Sequence, residues 1–228
     1  EVRVAGGTPP IEISPDQYNW IGQSPEVAGV QIGKQLAEDT IADMLNVGLM
    51  CFKAATGAVA GVYNDISSSA AASLDALVDT AALFGDRSQD ILCWVMHSRS
   101  ATKILKTALA NATNLFTFGT VNVLQDAVGR IFVITDSPHL VDTAPTPDVF
   151  WIAGLTADAI RIQQNSDFLS NIETSNGDEN IIRTLQAQWS YQLGLKGYSW
   201  DKAHGGAAPN NAALATATNW DQYVTSIK

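Results

Sequence analysis

The sequence predicts an α+β fold, and three observations carry that reading. From Pro25 to Val62 apolar residues recur at spacings of three, four and seven, the period of one very long amphipathic helix. From Ile182 to Trp200 apolar and polar residues alternate well beyond the usual strand of about five or six residues. Between these two stretches short apolar runs and shorter amphipathic segments take turns, which places strands and helices together in a compact α/β or α+β domain.

Taken in order, Glu1 to Trp20 holds brief alternations, Val2 with Val4 and Ile11 with Ile13, interrupted by Gly6, Gly7, Pro9, Pro10 and Pro15. Prolines remove ladder donors, so an edge strand or extended arm is expected, one that makes no core of its own and is ordered only against neighbouring subunits. Ser24 is placed to cap the long helix, Pro25 suits its first position, and Glu26 lies by the positive end of the dipole. Its apolar stripe runs through Ala37, Ile41, Met44, Phe52 and Ala55, with Gln35, Glu38, Asp39 and Lys53 mostly opposite. At 1.5 Å per residue the rod would span roughly 50 Å. The alternative is an ordinary core helix broken at Gly48 or Gly57.

After a Ser/Ala patch at Ser67 to Ser73, Leu74, Leu77, Val78, Ala81 and Phe84 mark a shorter helix that stops near Gly85. Ile91 to Met96 is a continuous apolar run, the pattern of a strand covered on both faces. Ser98 is expected to cap a helix with a stripe of Ala101, Ile104, Leu105, Ala108 and Leu109. Three strands follow, at Val121 to Leu124, Arg130 to Thr135 and Val149 to Leu155, separated by turn-rich pieces. Asn176-Gly177 signals a hairpin. In its long second strand Leu185, Trp189 and Leu193 should face the long helix while Gln188 and Gln192 point away, and the change of apolar phase after Gly197 predicts a bulge there. His204 to Thr218 reads as linker or surface loop, and Asn219 to Lys228 as a partly apolar end that needs a docking surface.

With 228 residues, 46% of them hydrophobic, the chain has ample material for one large domain or two joined ones. It contains no apolar run long enough to span a bilayer and no charged-then-apolar leader. Cys51 and Cys93 lack metal or redox spacing and are expected to be buried free thiols, which suits a reducing cytoplasm. A formal charge of −10 argues against electrostatic grip on nucleic acid and agrees with an ordinary soluble surface. The chain opens at Glu1 without an initiator Met, so an N-terminus that was removed, processed or left out of this sequence is expected.

Candidate chemistry is sparse. His97, Ser98, Asp136, Ser137 and His139 bring the residue types of a Ser/His/Asp hydrolase within two short segments, but no nucleophile-elbow motif accompanies them. The plainer reading makes His97 a strand-end residue satisfied by backbone, and Asp136 and Ser137 turn residues. Glu38-Asp39 and Asp178-Glu179 read as solvated pairs, and His204 falls in the expected linker. No phosphate loop, dinucleotide fingerprint or helical His/Glu metal pair occurs, so no catalytic, cofactor-binding or metal-binding residue is assigned.

The runs TPPIEISPDQYNWIG, PEVAG at the start of the long helix, ILCWVMHSRS, GRIFVITDSP, RTLQAQWSYQLGLKGYSWD and the tail NWDQYVTSIK span nearly the whole chain. Together they resemble the major capsid protein of a tailed bacteriophage with the Hong Kong 97 fold, a fold similar to encapsulin shells and to the herpesvirus capsid floor. The resemblance implies a peripheral domain made of a spine helix (25–63) and a long β-hairpin (166–203), an axial mixed α/β domain (64–165), an extended-loop limb (1–24) and a linker with C-terminal tail (204–228). It also implies a non-enzymatic structural protein of the virion, assembled in the host cytoplasm as a homo-oligomer of hexameric and pentameric capsomers. Such a shell encloses double-stranded DNA without sequence-specific binding, needs no cofactor and no membrane, and meets portal, scaffold and decoration proteins. Some relatives crosslink a Lys of the extended loop to a neighbour's Asn; Glu1 to Trp20 contains no Lys. An encapsulin-like compartment is the nearest alternative, and a hydrolase using Ser98 or Ser137 the alternative from another class.

Overall fold

The computed structural model describes residues 1–59, 61–68, 72–108, 113–118, 121–125, 131–177 and 180–223. In chain order it forms β1 (Val2–Gly7), β2 (Ile11–Ile13), α1 (Pro15–Gln23), the long α2 (Pro25–Gly57), α3 (Leu74–Ala82), β3 (Ile91–Met96), α4 (Ser98–Ala108), β4 (Thr113–Phe118), β5 (Val121–Gln125) and β6 (Ile131–Ile134). There follow β7 (Val141–Asp142), β8 (Val149–Phe150), β9 (Ile152–Thr156), β10 (Ile160–Gln164), β11 (Leu169–Asn176), β12 (Ile181–Leu195), β13 (Tyr198–Trp200), α5 (Lys202–Gly205), α6 (Asn211–Leu214) and β14 (Trp220–Gln222). The fold is therefore α+β, with one helix far longer than the rest.

α2 runs unbroken through Gly48 for 33 residues. The glycine serves packing, because a Cβ there would lie 3.2 Å from Ile160 and 3.4 Å from Ile162 on β10. The helix stops at Gly57, short of the expected Val62. Ser24 does hold the N-cap position, but its hydroxyl accepts no bond from the helix, and the first turn is closed by the Ala28 N–H on the Ser24 carbonyl at 3.0 Å. The C-terminal half of α2 is where both sheets meet. Val47, Met50, Cys51 and Ala55 pack against the sheet built on β12, while Leu49 packs with Val95 and Ala153 of the other and with Leu140 in the turn after β6.

The first sheet is organised by β12. β1 and then β2 run antiparallel to it along one edge, and β10 and then β11 along the other. Each flanking chain is thus one long strand interrupted by a jog: residues 8–10 on one side, 165–168 on the other. Thr8-Pro9-Pro10 explains the first jog, since prolines offer no ladder donor. At the second, Ser190 of β12 binds the crossing chain, donating from its N–H to Asp167 Oδ1 at 3.0 Å and from its hydroxyl to Asp167 Oδ2 at 2.5 Å while accepting from Asn165 and Arg3.

Alternation along β12 sets its faces as expected. Ala187, Trp189, Tyr191, Leu193 and Leu195 are buried against α2 and Gln188 is exposed, while Leu185 and Gln192 are each partly buried. The expected hairpin is the β11–β12 pair, with Asn176 opposite Ile181 and the Gly177 N–H bonded to the Asn180 carbonyl.

The second sheet has the order β4-β5-β6-β3-β9, with β3 and β6 parallel and the other pairs antiparallel. Trp94, Met96 and Phe132 pack with Leu77 of α3 and with Ala101 and Ile104 of α4, whereas Val95 and Ala153 face α2. β3 is covered on both faces, in keeping with its unbroken apolar run. β4 and β10 are strands that the sequence reading did not place.

Four expectations are corrected. Glu1 to Trp20 is not an arm awaiting a neighbour: β1 is an integral strand, with Val2 and Val4 inside the subunit core, and residues from Pro15 form α1. β12 does not run on to Trp200 through a bulge. It ends at Leu195, and a turn with Gly197 at φ +87° redirects the chain into β13, which pairs with β14 instead. His204 to Thr218 is not a linker, because Asp201 and Asn210 cap α5 and α6 and Leu214 is wholly buried. Cys51 is buried, but Cys93 is only partly so.

The C-terminal end finds its docking surface through Trp220, which meets Trp200 edge-on at 5.0 Å and donates its indole N–H to the Leu214 carbonyl at 2.9 Å. Leu109 of the α4 stripe, Asp178-Glu179 and residues 224–228 lie outside the described residues.

Candidate functional site

The hydrolase-type residues converge where β3 enters α4 beside the end of β6. His97, not Ser98, occupies the N-cap of α4: its Nδ1 accepts the Arg99 N–H at 3.2 Å, and the Ala101 N–H closes the turn on its carbonyl. Asp136 Oδ1 accepts the Ser98 N–H at 3.3 Å and stands 3.6 Å from His97 Nε2. The Ser98 hydroxyl, with its N–H and the nearby imidazole, holds the Asp136 carboxyl below its ordinary range. This is helix-terminus chemistry, in which a carboxylate meets the free amides of a first turn.

A nucleophilic triad would need the imidazole lone pair aimed at the serine. Here Nδ1 is engaged by Arg99, and the Ser98 hydroxyl lies 3.5 Å from it. Ser137 is no better placed, since its buried hydroxyl has no hydrogen-bond partner. His139 belongs to a different surface, where burial and then the charge of Lys53 depress its pKa. His204 lies within α5, donates its backbone N–H to the cap residue Asp201, and pairs its ring with the same carboxylate.

Lys53, His139, Asp142 and Trp151 gather instead where α2 meets the second sheet. Lys53 Nζ lies 2.5 Å from Asp142 Oδ1 and 5.0 Å from the centre of the Trp151 ring, and the Trp151 indole donates to Asp142 Oδ2 at 2.6 Å. Burial works against ionisation of Asp142 but is outweighed by these two hydrogen bonds and the Lys53 charge, so its pKa falls below the ordinary 3.8. The group ties the middle of the molecule together across the wall of a cleft of about 1000 Å3.

A second buried cluster joins α2 to β1 and β12. The Trp189 indole N–H and the Tyr191 hydroxyl are buried without partners, and Asp43 approaches Gly6 beside the same indole. Burial raises the pKa of Asp43 and, together with the Asp43 charge, that of Tyr191; burial also pushes the Cys51 thiol up to about 12, far from a reactive thiolate. Neither cluster was visible in the sequence, because its members are far apart along the chain, as Gly6 and Tyr191 or Lys53 and Trp151 are.

Among the described residues no group of three or more His, Cys, Asp and Glu side chains is arranged to hold a metal ion, and no helix is long and apolar enough to cross a membrane. The polar groups described above join elements to one another: helix caps, a strand-crossing network and an interdomain-type tie. Their work is to hold the subunit's own elements in place. The chain belongs to the Gp13-like family, described as major capsid protein 13-like, whose family model matches residues 1–228. It is accordingly a bacteriophage capsid protein with a structural role in the virion, of a kind that assembles with copies of itself into capsomers. Among curated proteins no match is found.

Proposed function

We propose that this chain is the major capsid protein of a tailed bacteriophage, folded as a Hong Kong 97-like subunit and assembled into the hexameric and pentameric capsomers of an icosahedral shell around double-stranded DNA. The observation that carries the proposal is the family match across residues 1–228. The physical reading supports it: one 33-residue helix braces two sheets, and the polar clusters serve packing. In this proposal α2 and the β11–β12 hairpin form the peripheral domain, residues 64–165 the axial domain, and residues 1–24 a limb whose β1 is anchored in the peripheral sheet. Portal, scaffold and decoration proteins are the further partners, and assembly takes place in the host cytoplasm. The net charge of −10 fits a container that encloses DNA without gripping it.

Negative-stain microscopy of the purified chain tests the proposal. Closed shells or capsomers are expected; monodisperse small particles under all assembly conditions contradict it. Nuclease-protected double-stranded DNA inside particles from infected cells separates a genome container from an encapsulin-like compartment, which would hold protein cargo.

A further inference from the structure

α2 and the β11–β12 hairpin separate toward the N-terminal end of the helix. From Val47 to Cys51 the helix is continuously buried, whereas among the described side chains of residues 26–43 only Ala28 and Thr40 are buried. On the other side β11 is exposed along its length. Between them, closed at one end by α1, lies an apolar groove of about 560 Å3 whose walls include Ile13, Ile21, Leu36, Met44, Phe168 and Leu185. None of the residues lining it is charged.

Three observations say what covers it. Among the described residues, ten of the fourteen exposed large hydrophobic side chains lie in residues 11–41 and 168–181, the segments that flank this groove. Four of them, Ile32, Ile41, Phe168 and Ile172, line the groove itself and are each between 36% and 53% exposed, an apolar surface drawn from both of its walls. Next, Gly29 and Gly33 line the groove from the interior of α2, where glycine weakens a helix, yet a Cβ at either position would meet nothing within 4 Å. The subunit gives no steric reason for them; close approach of another backbone does. Finally, two copies that each carry a net charge of −10 approach with least repulsion through uncharged surface.

We propose that this groove is a contact between copies of the chain: an apolar segment of a neighbouring subunit seats between α2 and the hairpin, with its backbone against Gly29 and Gly33. The inference rests on the capsid reading, which supplies the second copy.

The test pairs two substitutions with one labelling measurement. G33L fills space that is empty within the subunit, and I172R charges the opposite wall. Thermal unfolding of isolated subunits should be unchanged or raised for G33L, while sedimentation shows at least a tenfold loss of assembled material for both. In A37C the new thiol should react rapidly with a maleimide in isolated subunits and at least tenfold more slowly in assemblies. Unfolding of the G33L subunit, wild-type assembly of both variants, or equal labelling of A37C in the two states would each overturn the groove contact. A wild-type chain that never assembles would contradict the capsid reading itself, so the two failures are distinguishable.

Discussion

Trp189 and Gln188 are adjacent on one strand and should respond oppositely to truncation. Trp189 is buried against α2 and stacks on Phe168 at 6.5 Å, so Trp189→Ala is expected to cost about 3–5 kcal/mol in the unfolding of isolated subunits. Gln188 is exposed within the subunit, and Gln188→Ala should stay within about 0.5 kcal/mol. The reverse ranking would mean that the register of β12 is inverted. Asp142 makes a different prediction. Its pKa is lower in the folded chain than the ordinary 3.8, so its stabilising contribution is present above that value and is lost as pH falls through the folded value. Asp142→Asn, which weakens the links to Lys53 and Trp151 at a partly exposed site, should cost about 1 kcal/mol at pH 7. The gap from wild type should close in thermal melts below about pH 3.8; a gap independent of pH would show that the carboxylate charge is not what matters.

At the scale of elements, the parts written in local periodicity were legible and the parts fixed by distant partners were not. The 3.6-residue period of α2 and the two-residue period of β12 placed both elements, but of the expected α2 stripe only the C-terminal part, with Ala55, is buried, while Ala37 and Ile41 are exposed. α1 was missed although its signal is local: Ser14 and Gln17 form a reciprocal cap, with the Gln17 N–H on the Ser14 hydroxyl at 3.3 Å and the Ser14 N–H on Gln17 Oε1 at 3.1 Å, just before Pro15 at the first helical position. Asp201 and Asn210 are likewise caps that composition disguised as linker. β1 lay beyond local reading, since its partner residues 188–193 are far along the chain. The same distance hid the Lys53–Asp142–Trp151 tie, and the cap of α4, expected at Ser98, falls one residue earlier on His97, whose ring nitrogen takes the Arg99 N–H. Because β1 buries Val2 and Val4 in the subunit's own core, its ladder amides should exchange slowly in isolated subunits. Hydrogen exchange as fast as that of an unfolded peptide would return this strand to the status of an arm ordered only by neighbours.

For the whole molecule, the structural logic is a single brace with two sheets attached. The buried half of α2 is shared by both cores, while its other half and the distal hairpin carry most of the exposed apolar surface found among the described residues. In the proposed contact, a subunit so divided folds around one end of its long elements and meets its neighbour through the other. If the chain is the repeating wall of a shell, its copy number in purified particles, obtained from particle mass and quantitative peptide analysis, must be that of a wall. The account predicts that it outnumbers every other particle protein and that the copies account for the mass of a closed shell. Particles that contain it in only a few copies, or that lack it, would contradict the account.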